Sequence, residues 1–384
     1  MTHFRRIAIL ARLLTPIALA VVPLFAQQII HHPKNSDPLT RKWAWAWSEA
    51  ADRNVSDGFW VGYGIQRWMG ENSFIGSFAG SASSRDVSLH ELLYGQKESL
   101  TFSDDEESIR REAERALNKR SGHKYTEPTV LKGVAILFGY EASRDEPMQP
   151  RTMVVCNLST SVDLQDRPLL WLRRSQEEES VSFLEDMFDQ PHTEKMRESL
   201  VFAISIHDRS ARAVKFLRAV VVGNESERVR GSAAFFLGER DEKEDVPLLV
   251  MVATRDSSRR VRDQALFGLS RMESEEAVEA LIDLARRAER IEVREKAMFW
   301  LAQRASDRAV GTLRDIAFND GETGIQRQAV FALTRLTSAD GIKELIEIAT
   351  SHRNPQIRRE AIFWLGRSDD PRAFEFLVQM VQRK

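Results

Sequence analysis

Six phenylalanines, Phe202, Phe235, Phe267, Phe299, Phe331 and Phe363, return every 32 or 33 residues through the second half of this chain. Their chemistry is recognition rather than bond-making. A phenylalanine ring offers apolar area and an aromatic quadrupole, but no proton and no lone pair to a reacting group. Residue types that do catalyse are scattered by comparison. The sequence holds no HExxH, no paired CxxC, no GxSxG and no Gly-rich phosphate loop at a strand–helix junction. His31 and His32 fall where a flexible terminus is expected, and His207 lies in a turn between helices with Asp208 as its one carboxylate neighbour. The single cysteine, Cys156, sits in the apolar run MVVCNLST, with no nearby His and no electropositive setting to make a thiolate, and reads as a buried strand residue. These patterns predict no catalytic residue, no metal ligands and no cofactor. With 55 Lys and Arg against 57 Asp and Glu, the net charge of −2 lacks the concentrated positive charge that drives nucleic-acid binding.

The phenylalanines belong to a larger unit. Each is the seventh residue of a decapeptide: MRESLVFAIS from Met196, VRGSAAFFLG from Val229, VRDQALFGLS from Val261, VREKAMFWLA from Val293, IQRQAVFALT from Ile325 and IRREAIFWLG from Ile357. A degraded copy, LQDRPLLWLR, starts at Leu164. A fixed period in this range marks a stacked-repeat solenoid, whose long open surface binds rather than catalyses. Midway between decapeptides run second apolar-periodic stretches that include Ala213, Asp245, Ala277, Ala309, Gly341 and Ala373. Asp208, Ser274, Ser306, Ser338 and Ser368 precede several of them and can cap a first helical turn. The unit is helix A, turn, helix B, turn. At about 100° per residue, the first, fifth, eighth and ninth positions of helix B share a core-facing arc, and the seventh falls near the middle of the opposite arc. Trp171, Trp300 and Trp364 occupy the eighth position and are expected to be packing residues.

These features resemble the HEAT-repeat family, in the short bacterial form related to phycobilisome lyase repeats. The resemblance rests on Val229-Arg230, Val261-Arg262, Val293-Arg294 and Ile357-Arg358 opening helix B, with Ala at the fifth position and Leu at the ninth, and covers about residues 164–384. It implies antiparallel helix pairs with helix B lining the concave face. It also implies an inter-repeat ladder, in which Asp256 and Asp320, or the weaker substitutes Asn224 and Asn354, pair with the Arg of a neighbouring repeat; Gln326 has lost the Arg. The family carries a polar residue where this chain has phenylalanine. On the concave face the six rings would form a stripe that receives the N-terminal half of the chain or a partner peptide. Tight curvature or ring-on-ring packing would instead bury them as a second core layer. Both readings stand on the sequence.

The first half differs. Residues 1–26 place Arg5, Arg6 and Arg12 ahead of an apolar run, Leu13 to Phe25, with small Ala26 following; that is the layout of a secretory signal peptide. The run is shorter than the roughly 20 residues of a membrane span, so cleavage and export are expected, with an uncleaved anchor as the alternative. One cysteine allows no internal disulfide. Residues 27–163 carry β-rich runs at Phe59–Met69, Val130–Ala142 and Arg151–Thr160. They also carry an amphipathic helix around Trp43, Trp47 and Ala50 and a charged helix from about Ser103 to Arg120. The absence of a Pro/Gly/Ser linker before Leu164 predicts that the two halves pack together.

The expected architecture is therefore an α-solenoid of about six HEAT-type helix pairs plus half-repeats over 164–384, preceded by a small α+β domain over 27–163 and a signal peptide over 1–26. The expected function is an exported scaffold of the periplasm or envelope, with a protein or peptide partner, no nucleic acid, and no membrane span after signal cleavage. Two alternatives remain. One is an enzyme whose site gathers carboxylates and His around Trp60, Tyr63 or Tyr140. The other is an array that associates with its own copies, for which a hydrophobic end would be the sign.

Overall fold

A computed structural model describes residues 28–53, 55, 58–76, 87–95, 129–141, 149–304, 306–336 and 339–382. The expected signal segment 1–26 and the charged helix 103–120 lie outside the described residues.

The N-terminal part is built on a five-stranded sheet: β1 Ile29–His31, β2 Phe59–Gly70, β3 Thr129–Tyr140, β4 Pro150–Asn157 and β5 Leu169–Arg174, in the order β1-β5-β2-β3-β4. β2, β3 and β4 are the three β-rich runs of the sequence, joined as an antiparallel meander. Pleating sends alternate β2 residues to opposite faces. Val61 and Tyr63 join Ile136, Phe138 and Tyr140 under helix α1 (Leu39–Asp52), where Trp43 meets Phe138 edge-on at 5.2 Å and Trp47 meets Tyr140 at 4.9 Å. Trp60, Leu137 and Trp171 pack on the other face with Leu89 and Leu93 of helix α2 (Leu89–Tyr94). Cys156 is a buried strand residue, as its sequence implied, and burial pushes its thiol up to about 12.

β5 corrects the sequence reading. The degraded copy at Leu164 is not a helix: LLWLRR is a strand lying between β1 and β2 and parallel to both. Leu169, Leu170, Trp171 and Leu172 are all buried, and a continuous apolar run of that kind suits a parallel strand covered on both faces. Its spacing from Met196 matches the repeat by coincidence, so Trp171 is a sheet residue and not part of helix B. Gly62 and Gly64 of β2 make room for it, since a Cβ at Gly64 would stand 3.3 Å from the indole. His31 and His32 are likewise not a loose terminus. His31 pairs with Trp171 in the sheet, and His32 is buried, its backbone N–H donating to the Trp171 carbonyl at 2.8 Å.

The stack of helices begins at Glu177: α3 Glu177–Phe188, α4 Glu194–Ser205, α5 Ala211–Val222, α6 Glu227–Glu239, α7 Val246–Arg255, α8 Arg259–Arg271, α9 Glu275–Arg287, α10 Ile291–Arg304, α11 Asp307–Asn319, α12 Thr323–Thr334, α13 Ala339–Ser351, α14 Pro355–Leu365 and α15 Pro371–Gln382. These are six antiparallel pairs and a half-repeat among the described residues, and the B helices, α4 to α14 in alternation, start at the expected 32- to 33-residue steps. Ser274 and Ser306 cap the helices they precede by accepting from the third backbone N–H. For α5 the cap is Ser210 rather than Asp208, and Ser338 lies outside the described residues. The first, fifth and ninth positions of the repeat, such as Val261, Ala265 and Leu269, are fully buried. The B helices pack on one another more closely than the A helices do, which puts them on the inner side of the curve. The approach is tightest between α6 and α8, where a Cβ on Gly238 would stand 2.3 Å from the Gly268 Cα.

Sheet and stack are locked together at the α4–α5 turn, as the missing linker implied. The Tyr63 hydroxyl lies 2.9 Å from Ser180 Oγ, and Ser180 Oγ lies 2.9 Å from His207 Nε2. His207 Nδ1 faces the Ile204 carbonyl at 3.2 Å, so a neutral ring with its proton on Nδ1 satisfies the whole chain. Arg67 of β2 donates to both carboxylate oxygens of Asp208, at 2.6 and 2.7 Å, and Arg240, at the C-terminal cap of α6, donates to the His207 and Asp208 carbonyls.

Candidate functional site

The phenylalanine row lies on the inner face of the B helices and is neither fully open nor a second core. Phe202, Phe235, Phe267, Phe299 and Phe331 are half-buried, and Phe363 is 53% exposed. What covers them is chiefly one another. Phe235 stacks on Phe267 with centroids 5.4 Å apart and planes at 20°. Phe202 stacks on Phe236 at 5.6 Å, Phe267 on Trp300 at 4.8 Å, and Phe331 leans on Trp364 at 5.1 Å.

Phe236, Trp300 and Trp364 all hold the eighth position, and the arc drawn from the sequence placed that position in the core. Trp300 and Trp364 do pack against the core, but they are only half-buried and their rings also join the aromatic row. The eighth position alternates small and large, Ala203, Phe236, Gly268, Trp300, Ala332, Trp364. Each small residue leaves a gap beside its own phenylalanine, and the large ring of the following repeat fills it. A two-repeat alternation was present in the sequence and is the signal that could have found these three residues.

Cations complete the row. Arg335 Cζ sits 5.9 Å from the Phe299 centroid and 5.4 Å from that of Phe331, bridging two rings that have no direct stacking contact among the described pairs. Lys296 Nζ lies 5.7 Å from Phe299 and 5.9 Å from Trp300, and Arg367 lies 5.7 Å from Phe363. All five distances fall in the range where a ring quadrupole attracts a cation. An open pocket of about 440 Å³ lies on the row, lined by Arg259, Arg260, Asp263, Gln264, Phe267, Lys296 and Trp300.

The arginine column is structural, as the resemblance implied. Arg230 pairs with Asp256, and Arg294 with Asp320, each in the turn before the next helix B. Arg197 finds Glu225 at 2.7 Å rather than its neighbour Asn224. Arg262 takes Glu292 at 3.1 Å, and Arg358 donates to the His352 carbonyl. Gln326, lacking the charge, still donates to the Asp320 carbonyl at 2.9 Å.

The surroundings of Trp60, Tyr63 and Tyr140 are those of a core. All three are buried, and burial raises both tyrosine hydroxyls well above their ordinary range. The pocket at Trp60 measures about 70 Å³ and is lined by Glu141, Asp163 and Arg167 among others, with no His among its described residues. A larger hollow of about 560 Å³ lies beside Asp37, Lys42 and Glu179. Its charged groups are committed to the fold: Glu179 accepts from the Leu39 N–H and the Ser175 hydroxyl, and Lys42 Nζ donates to the Arg174 carbonyl.

Comparison with known proteins agrees with the repeat geometry. The family model of HEAT repeats matches over residues 194–270, 248–333 and 310–384. Residues 194–384 are HEAT repeats. Among solved structures, the complex of CpcE and CpcF of phycocyanin lyase from Nostoc sp. PCC7120 is 19% identical, over 50% of this chain and 76% of that one, with a TM-score of 0.30. Human deoxyhypusine hydroxylase in complex with glycerol is 19% identical over 53% of this chain and 79% of that one, with a TM-score of 0.24. At these levels the likeness concerns the fold alone. No curated protein sequence matches the chain. The N-terminal sheet lies outside the matched family region. Among the described residues no helix is long and apolar enough to cross a membrane.

Proposed function

We propose that this protein is an exported interaction scaffold of the cell envelope whose HEAT array docks a protein or peptide along its inner face. The observation that carries the reading is the aromatic row. HEAT repeats are a general protein-interaction fold, and here the face that curvature turns inward bears a row of rings and cations. Export is supported by the Arg-led apolar run of residues 1–26. Two measurements test the proposal. Mass spectrometry of protein recovered from the envelope fraction should find a chain that begins after about residue 26; an intact Thr2 or Arg5 in that material would mean an anchor, and cytoplasmic recovery would end the export claim. Affinity capture from the native envelope should recover the same partner with the parent and lose it with the Phe299→Ser/Phe363→Ser double variant. Retained capture would remove the row from the interface.

A second reading, self-association, is favoured by one observation. α15 buries only Ala373 completely and leaves Phe374 and Val381 70% and 76% exposed. An apolar face of this kind commonly marks an interface. Sedimentation of the parent beside Phe374→Ser/Val381→Ser tests it: a concentration-dependent dimer in the parent alone supports end-on pairing, and a monomer in both ends it.

A further inference from the structure

We infer that the occupant of the inner face is an acidic, extended peptide segment, an inference that rests on the docking role proposed above and specifies its chemistry. The first argument is the state of the rings. In the near-parallel pairs Phe202–Phe236, Phe235–Phe267 and Phe267–Trp300, the π faces are turned on each other, at 27°, 20° and 21°. Lys296, Arg335 and Arg367 occupy the approaches to Phe299, Phe331 and Phe363. What the row offers a visitor is therefore mainly ring rims, and the rim is the electropositive part of an aromatic quadrupole.

The second argument is the balance of charge beside the rings. Arg260, Lys296, Arg335 and Arg367 have no carboxylate partner among the described residues, and Arg260 and Lys296 both line the 440 Å³ pocket. The carboxylates along the same face are mostly held: Glu198 by Arg228 at 3.4 Å, Glu239 by Arg271 at 2.7 Å, Asp263 by Arg259 at 3.9 Å, and Glu360 by Arg327 at 3.0 Å and by the Trp364 indole N–H. Glu295 is the carboxylate here without a cation among the described residues. The uncommitted charge is positive, and it runs from α8 to α14. Rims and cations together favour carboxylates on the ligand.

The third argument sets the form of the ligand. Stacked helices lie about 8–10 Å apart, and an extended chain advances about 3.3 Å per residue. Roughly three residues then span one repeat, enough for a carboxylate to meet each cation while an apolar side chain enters between the rings. A single-stranded nucleic acid is the less suitable polyanion, because its bases bind by stacking on open aromatic faces, and here those faces are taken.

The test uses the full mature chain and fluorescence anisotropy. The probe is a fluorescein-labelled peptide of five Glu-Asp-Phe triplets, with five Gln-Asn-Phe triplets as the neutral control and a 15-nucleotide oligothymidine as the other polyanion. The acidic peptide should bind at least tenfold more tightly than either, and more weakly as salt is raised. Lys296→Glu/Arg335→Glu/Arg367→Glu should lose at least tenfold in affinity for the acidic peptide and leave the neutral one unchanged. Lys296→Gln/Arg335→Gln/Arg367→Gln, with circular dichroism and thermal midpoint as in the parent, repeats the measurement should the reversals perturb folding. Equal binding of the two peptides, oligothymidine binding as tight as the acidic peptide, or undiminished binding by both variants overturns the inference. Equal binding that still requires the phenylalanines would overturn the acidic preference while sparing the docking face. Binding of neither peptide would overturn both.

Discussion

In the array, Arg271 reaches Glu239, 32 residues away, and Arg304 reaches the Met272 carbonyl, also 32 away. In the sheet, Arg173 reaches the His32 carbonyl across 141 residues, and the Trp60 indole donates to the Leu164 carbonyl across 104. Both regions bury Val, Ala, Leu and aromatic side chains in the same way, but their contacts are distributed differently along the chain. Each helix pair answers to its neighbours, so a defect in one repeat should spread little further. The sheet closes only when β5, from the far end of the N-terminal part, enters between β1 and β2 and pairs with both. Damage there should be shared by the whole unit.

The largest expected effect tests that contrast in the sheet. Trp171→Ala removes a fully buried ring that fills the space left by Gly62 and Gly64, and should cost about 4 kcal/mol or more. Hydrogen exchange should show protection lost across β1, β2 and β5 together, while α8 to α14 keep theirs. Loss confined to β5 would mean that the sheet is less cooperative than its topology implies.

The matching defect in the array is Asp320→Ala. It leaves Arg294, nearly buried, without its carboxylate, a loss of about 3 kcal/mol. The exchange should quicken in α10, α11 and α12 and not in the sheet. Uniform loss over both regions would show that stack and sheet unfold as one body.

The same contrast explains what could be read from the sequence. The period, the helix pairs, the Arg230–Asp256 and Arg294–Asp320 links and the three β-rich runs were legible because each is written in residues close together or repeated in register. β5 was not: LLWLRR is short, both-side buried and 32 residues upstream of a true repeat, and no local periodicity separates such a run from a buried helix segment. His207 was legible as a turn residue, but its link to Ser180 and Tyr63 joins three segments that no spacing relates. The aromatic row was half legible. The seventh position was found on the opposite arc to the core; the eighth lies at the edge of that arc, and only the neighbour's small residue lets its ring swing into the row.

The junction between the regions supplies a pH-dependent test. Burial in the Tyr63–Ser180–His207 chain pulls the His207 pKa down to about 4 from the ordinary 6.5. The unfolded chain therefore takes up a proton below about pH 6.5 that the folded chain refuses until about pH 4. Stability contributed by the neutral ring is present above 6.5 and is lost as pH falls toward 4. Between pH 7 and pH 5 the loss should be about 2 kcal/mol. Urea unfolding of the parent and of His207→Gln at both pH values isolates it. The variant should be the less stable at pH 7 and should lose about 2 kcal/mol less on acidification. Parallel losses would place the acid sensitivity elsewhere.

The smallest effect on stability carries the most about the aromatic row. Phe363 is its most exposed ring, in contact with Trp364 at 5.1 Å and under the Arg367 guanidinium. With about half of its area already in water, Phe363→Ser forfeits about half of a buried ring's roughly 3–5 kcal/mol at most, and an expected cost of about 1.5 kcal/mol follows. Phe267→Ser, by contrast, breaks stacking on both Phe235 and Trp300 and should cost about 2 kcal/mol. A row that were simply a second core layer would be most sensitive to its central rings in every assay. A docking surface should separate the two readouts: Phe363→Ser would weaken peptide binding well beyond its small effect on the thermal midpoint. Measuring both quantities on both variants decides the matter. If binding and midpoint fall in the same proportion for Phe267→Ser and Phe363→Ser, the rings act on the ligand only through the fold, and the row is packing.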